Sequence, residues 1–213
     1  MIDLLQEAVK DLKLHNAKKR ENHIEKLLDY YNGNDTANYI SKMFSASAFS
    51  EIPPVEANIT RRFINKMSRI YTIGANRNVN DKYDELTVLK SARMKHVERM
   101  TRLIGTIATR VVWNEGETPY FDYRPIYFFH VFFDDDPFVP SAITYPIIQP
   151  IEDSSKVEQL TYAYWDDKKY MVANENGKTL VETSHGYGVL PFVFTHRENQ
   201  TDSFYVEGAN DLI

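Results

Sequence analysis

Leu103-Ile104-Gly105-Thr106-Ile107-Ala108-Thr109-Arg110-Val111-Val112-Trp113 is where the hydrophobic period of this chain changes. From residue 104 to 113 the residues alternate, with Thr106, Ala108, Arg110 and Val112 against Ile107, Thr109, Val111 and Trp113. Alternation of β-branched residues describes a strand. Before this stretch the apolar residues recur at helical steps. After it they alternate.

Working upstream, Asp81 can cap a helix over 81–102, whose core side carries Tyr83, Leu86, Leu89, Val97, Met100 and Leu103. Glu98 and Arg102 are spaced to pair across one turn. Residues 58–71 give a second helix. Asn58 is its N-cap, and Ile59, Phe63, Ile64, Met67, Ile70 and Tyr71 draw one apolar stripe. This stripe is expected to pack on the sheet. Arg61, Arg62, Lys66 and Arg69 fall on the other side and are the candidate interface or nucleic-acid residues. They are expected to form salt bridges, within the chain or between subunits, before DNA contacts. Pro53-Pro54 ends a linker over 45–54, and 36–44 reads as a short helix. Residues 2–31 are helical, with Leu5, Val9, Leu12, Ile24, Leu27, Leu28 and Tyr31 as a broken stripe. Lys13, Lys18, Lys19 and Arg20 interrupt it, so either one helix has a polar waist or two meet near Asn16. Asn32-Gly33-Asn34-Asp35 stops the helix.

Working downstream, Asn114-Glu115-Gly116-Glu117 is a hairpin turn. Strands follow at 119–123, 126–133, 142–148, 159–165, 169–173, 179–183 and 190–196, with turns at Asp166-Asp167-Lys168-Lys169 and Asn174-Glu175-Asn176-Gly177. Helices first and strands second describe an α+β fold, N-terminal helices followed by a mostly antiparallel β region. The chain divides into a helical part (1–103), an antiparallel β part (104–206) and the start of a further helix (207–213). A helix that has only begun cannot bury its face, so the natural protein is expected to continue.

The chain has 213 residues, enough for one large domain or two small ones. Its net charge of −5 excludes a polyanion binder acting through its whole surface. It has no cysteine, which removes disulfides, thiolate catalysis and cysteine-based zinc sites. No run approaches about 18 apolar residues, so no membrane span is read.

The sequence carries no Gly-rich nucleotide loop, Walker loop or nucleophile elbow. Gly186-Tyr187-Gly188 precedes a strand and reads as a turn. His15, His23, His96, His130, His185 and His196 include no pair four residues apart. His130 reads as a sheet-face histidine. Asp134, Asp135 and Asp136 are weak candidates for a metal site, since hard cations take oxygen ligands. Pro137 follows at once, and a solvated turn is the plainer reading. No catalytic residue and no cofactor is expected.

Four stretches together resemble the portal, or head-to-tail connector, proteins of tailed bacteriophages. They are Leu27-Leu28-Asp29-Tyr30-Tyr31-Asn32-Gly33-Asn34, the helix from Asn58 to Tyr71, the strand entry Leu103-Ile104-Gly105-Thr106 with the later turn at Asp134, and Gly188-Val189-Leu190-Pro191-Phe192-Val193-Phe194 followed by Tyr205-Val206-Glu207-Gly208-Ala209-Asn210-Asp211-Leu212-Ile213. The resemblance implies a portal wing, part of a homo-oligomeric ring, usually a dodecamer, at one capsid vertex. It implies DNA packaging and ejection without chemistry, with terminase large subunit, capsid or scaffold proteins and a tail adaptor as partners. Double-stranded DNA would pass through the channel, and no membrane is involved. The location implied is the virion, after assembly in the host bacterial cytoplasm. The alternatives are a nucleic-acid-binding module using Lys18, Lys19, Arg20 and the basic face at 61–69, and a metal-dependent hydrolase centred on Asp134–Asp136.

Overall fold

A computed structural model describes residues 6–7, 9–11, 13, 15–33, 58–71, 90–114, 120–149 and 159–208. The fold is α+β. Helices α1 (His15–Asn32), α2 (Ile59–Met67) and α3 (Lys90–Ile104) precede strands β1 (Thr106–Asn114), β2 (Tyr120–Ile126), β3 (His130–Phe133), β4 (Pro140–Gln149), β5 (Gln159–Trp165), β6 (Lys169–Asn174), β7 (Thr179–Ser184) and β8 (Phe192–His196). One sheet has the order β2-β1-β8 and the other β3-β4-β5-β6-β7. Every strand pair is antiparallel.

The change of period is a physical corner. Gly105 alone separates α3 from β1, with φ of 100°. Its N–H donates to the Thr101 carbonyl at 2.9 Å, closing the helix. Glycine reaches this left-handed region without a Cβ penalty. β1 then serves two cores at once. Ile107 joins Ile24, Leu27, Ile64, Val97, Met100 and Leu103 in the helical core. Ala108, one residue on and facing the other way, joins Phe129, Ile143, Trp165, Phe192 and Phe204 between the sheets. The start of β1 is therefore buried on both faces, where simple alternation predicts one.

Residues 126–133 are not one strand. β2 ends at Ile126, and the chain crosses to the second sheet through Tyr127, Phe128 and Phe129. Tyr127 and Phe128 pack against the helical core, while Phe129 is buried between the sheets. Those demands are incompatible with strand alternation, so a crossover forms. Near the N-terminus Lys13 sits in a turn and α1 begins at His15, which fits two helices and not one long one. Val9 packs on the far face of the five-stranded sheet, with Tyr162, Tyr164 and Met171.

The Glu98–Arg102 pair does not form. Glu98 is buried and accepts the Ile70 N–H at 3.3 Å. The turn at Asn174 does form: its Oδ1 accepts the N–H groups of Asn176 and Lys178, each at 3.0 Å, and Gly177 takes φ of 77°. At the other end, Glu207 and Gly208 are not helical. The expected helix at 36–44, the linker 45–54, the segment 81–89, the turn residues 115–117 and the rest of 207–213 lie outside the described residues.

Candidate interaction surface

Asn58 fixes α2 in place. Its Oδ1 accepts the Arg61 N–H at 2.8 Å, as an N-cap does, and its Nδ2 donates to the Tyr31 carbonyl at 2.7 Å. One side chain thus satisfies an orphan donor of α2 and an orphan acceptor at the end of α1. Gly33 makes room, since a Cβ there would lie 3.3 Å from Asn58 Nδ2, and its φ is 78°. Tyr31 Oη adds a donation to Asn65 Oδ1 at 3.2 Å. Asn58→Ala removes both bonds and is expected to cost about 1–2 kcal/mol. Chemical denaturation checks this, and a loss of a few tenths only would mean the link to α1 contributes nothing.

The apolar stripe of this helix does not pack on the sheet. Of its residues only Ile64 is buried, and it meets the helical core of α1 and α3. Ile59 is 73% exposed, Phe63 43%, Met67 41% and Ile70 67%. The reason is length. The helix ends at Met67, Ser68 turns extended, and nine residues present only one inward position to two neighbouring helices.

The basic residues do not act as one set. Arg61 lies with Cζ 5.8 Å from the Tyr31 ring centroid. Arg69 Nε donates to the Lys66 carbonyl at 2.9 Å. Arg62 and Lys66 are exposed and make no ion pair within the chain among the described residues. In α1, Lys18 pairs with Glu21 at 2.5 Å, which raises the ammonium pKa mainly through that hydrogen bond. Arg20 is the largest departure. Its Nη2 donates to the Phe129 carbonyl at 2.5 Å, and its Cζ sits 3.7 Å from the Tyr205 ring centroid. It holds the crossover and the C-terminal segment to α1, so it is a structural clamp and not a free phosphate contact.

The C-terminal segment closes the corner at Gly105. A Cβ on Gly105 would collide with the Val206 carbonyl oxygen and lie 2.5 Å from the Glu207 backbone. A Cβ on Gly208 would lie 2.6 Å from the Leu103 carbonyl and 2.8 Å from Leu27 Cδ1. Arg197 bridges the two glycines, its N–H donating to the Gly105 carbonyl at 2.8 Å and its Nη1 to the Gly208 carbonyl at 3.0 Å. Thr106 Oγ1 accepts the Val206 N–H at 2.8 Å and lies 3.1 Å from His196 Nδ1. An open cleft of about 870 Å³ borders this joint, with Lys19 and Arg20 on one wall and Glu198 and Asp202 on the other. The roles of Arg20, Arg197 and Gly208 had no periodic signal, because each acts on a backbone carbonyl or a close approach far away in sequence.

Burial lowers the pKa of His196 below its ordinary 6.5, and also that of His96 and His130. For His130, at the start of β3, Asp11 at 3.7 Å opposes the shift and Arg20 adds to it. A histidine whose folded pKa is depressed gives up stability when it is protonated. That stability is present above the unfolded pKa and is lost as pH falls below about 6.5. The urea midpoint is therefore expected to be lower at pH 5.5 than at pH 7.5, with a smaller difference in His196→Asn. Equal midpoints at both values would contradict the burial of these rings.

Asp134, Asp135 and Asp136 are exposed in the turn between β3 and β4, where Asp136 Oδ1 accepts the Phe138 N–H at 2.8 Å. The Tyr164 hydroxyl nearby is pushed up to about 12, by burial first and then by Asp166, Asp134 and Asp167. Among the described residues no three carboxylate or imidazole groups are grouped to hold a metal. No helix among them is long and apolar enough to cross a membrane. No protein-family model matches this chain, and no curated protein matches it.

Proposed function

We propose that this chain is the wing portion of a phage portal, a structural ring component with no chemistry of its own. The observation that carries the reading is that parts of the resembling stretches contact one another in the fold. Leu27 touches Gly208, Gly33 makes room for Asn58, and Gly105-Thr106 receives Val206-Glu207. Residues that carry the family likeness are thus those whose backbone geometry the fold depends on. The exposed stripe of Ile59, Phe63, Met67 and Ile70 agrees with assembly, since contiguous exposed apolar surface marks protein contacts. The use of Arg20 as a clamp weakens the nucleic-acid alternative, which counted it as a DNA contact.

On this reading the partners are further copies of the chain, the terminase large subunit, capsid or scaffold proteins and a tail adaptor. The DNA duplex passes through the channel, and the protein ends at the portal vertex of the virion after assembly in the bacterial cytoplasm. Negative-stain microscopy of the complete protein is the test. Closed rings with a central hole are the expected outcome, and a compact monomer at all concentrations overturns the reading.

A further inference from the structure

We infer that the turn at 134–139 of one copy of this chain docks, head to tail, on the outer face of α2 of the next copy. Two rows lie side by side on that face. Ile59, Phe63 and Met67 follow one another at four-residue steps, and so do Arg62 and Lys66. Residues three and four apart on a helix are neighbours, so the basic row adjoins the apolar one along its length. All five side chains are exposed. The helix has no acidic residue of its own, and its basic row makes no ion pair within the chain among the described residues.

The turn between β3 and β4 supplies the complement. Asp134, Asp135 and Asp136 are exposed, and Pro137 leads directly to Phe138 and Val139, which are 41% and 62% exposed. An acidic block thus adjoins an apolar one, as the basic row adjoins the apolar row on α2. The turn is preformed. Asp136 Oδ1 accepts the Phe138 N–H at 2.8 Å, and the Asp136 carbonyl accepts the Val139 N–H at 3.2 Å. Docking it therefore costs little ordering entropy. Exposed Asp167, in the turn between β5 and β6, extends the acidic end, since it and Asp134 both act on the Tyr164 hydroxyl. Exposed Lys168 offsets one of these charges.

This pairing selects a second copy as the occupant. A DNA duplex would answer the cations of α2 but leave Ile59, Phe63 and Met67 wet, whereas the turn answers both rows. Exposed ion pairs add little affinity by themselves. The apolar contact supplies the affinity, and the charges set partner and register. The two patches differ, and neither covers the other within one chain, so a copy that uses one keeps the other free. Such a contact is heterologous and repeats from copy to copy. The contact stands on the two patches, and its closure into a ring rests on the portal reading. One short helix and one turn cover less than a standard interface of about 1,600 Å², so a single contact is weak.

Sedimentation velocity of the 213-residue chain, from micromolar to near millimolar, tests this. Association that continues past the dimer and weakens with salt is expected. Arg62→Glu with Lys66→Glu weakens it about tenfold or more, and so does Asp134→Lys with Asp135→Lys. Mixing the two reversed chains restores association, because each then offers the complement of the other. Val139→Ser weakens it, whereas Val189→Ser, at an equally exposed position in another turn, does not. All these positions are exposed, so circular dichroism should show an unchanged fold. A parent chain that stays monomeric near millimolar concentration overturns the inference, and duplex DNA or phosphatidylserine vesicles that bind through Arg62 and Lys66 would then be the occupant. Association indifferent to both reversals, or reversed chains that stay apart on mixing, also overturns it. Rings of the complete protein that persist in both reversed variants sink this contact and leave the portal reading standing. Association of the 213-residue chain as described, without rings from the complete protein, does the converse.

Discussion

Gly105→Ala is expected to lower the melting temperature by roughly 6–12 °C, from a loss of about 3 kcal/mol or more spread over a chain of this size. Two independent penalties add. Alanine at φ of 100° is strained by itself. Its methyl group would also collide with the Val206 carbonyl oxygen and crowd Glu207, which are backbone atoms and cannot swing aside like a flexible side chain. Relief requires the C-terminal segment to lift, which breaks the Thr106–Val206 bond and the Arg197 bridge together. Gly208→Ala is expected to cost less, because its φ is not in the left-handed region and its nearest contact, the Leu103 carbonyl oxygen at 2.6 Å, overlaps less than the Val206 oxygen does at Gly105. Differential scanning calorimetry of the two variants gives the order. If Gly105→Ala melted with the parent, the close approach of 206–207 would be wrong.

Arg20→Ala is expected to lose about 2–4 kcal/mol of folding stability. A hydrogen bond to a charged donor contributes roughly 1.5–3 kcal/mol, and a guanidinium over an aromatic ring about 0.5–2. The Phe129 carbonyl is left without that donor, and Tyr205 loses its cover. Arg20→Lys should recover little, since an ammonium cannot lie flat on the Tyr205 ring while reaching the carbonyl. The decisive comparison is with Lys19→Ala, an exposed neighbour, which should stay within about 0.5 kcal/mol of the parent. Similar urea midpoints for all three variants would return Arg20 to the solvated surface.

Local pattern carried the class of this fold well. The switch from helices to strands near residue 104, most of the strands and the turn at Asn174 follow from period and turn chemistry, because those signals act over a few residues, although Ile104 itself is still helical. What local pattern missed is long-range. The apolar residues of α2 have helical spacing, but spacing does not say how many neighbours a helix has, and only Ile64 found one. The aromatic run at 126–133 satisfies a strand template, yet Phe128 and Phe129 serve different cores. Lys18, Lys19 and Arg20 look alike in sequence. Their fates differ because the Phe129 carbonyl and the Tyr205 ring, more than 100 positions away, sit beside only one of them.

The position of β8 beside β1 has a consequence for how the chain acquires its structure. Six strands, β2 to β7, are synthesised between these two neighbours. The three-stranded sheet therefore cannot be completed until residue 196 has emerged, and the cover over Gly105 not until residue 208. Until then β1 has an open flank, and the aromatic side chains that β8 would shield stay wet. Pairings so distant in sequence are slow to form, and a nascent chain in that condition is prone to aggregate. Expression trials that end the chain before residue 208 should yield insoluble material, whereas those that retain it should fold once the last segment clears the ribosome.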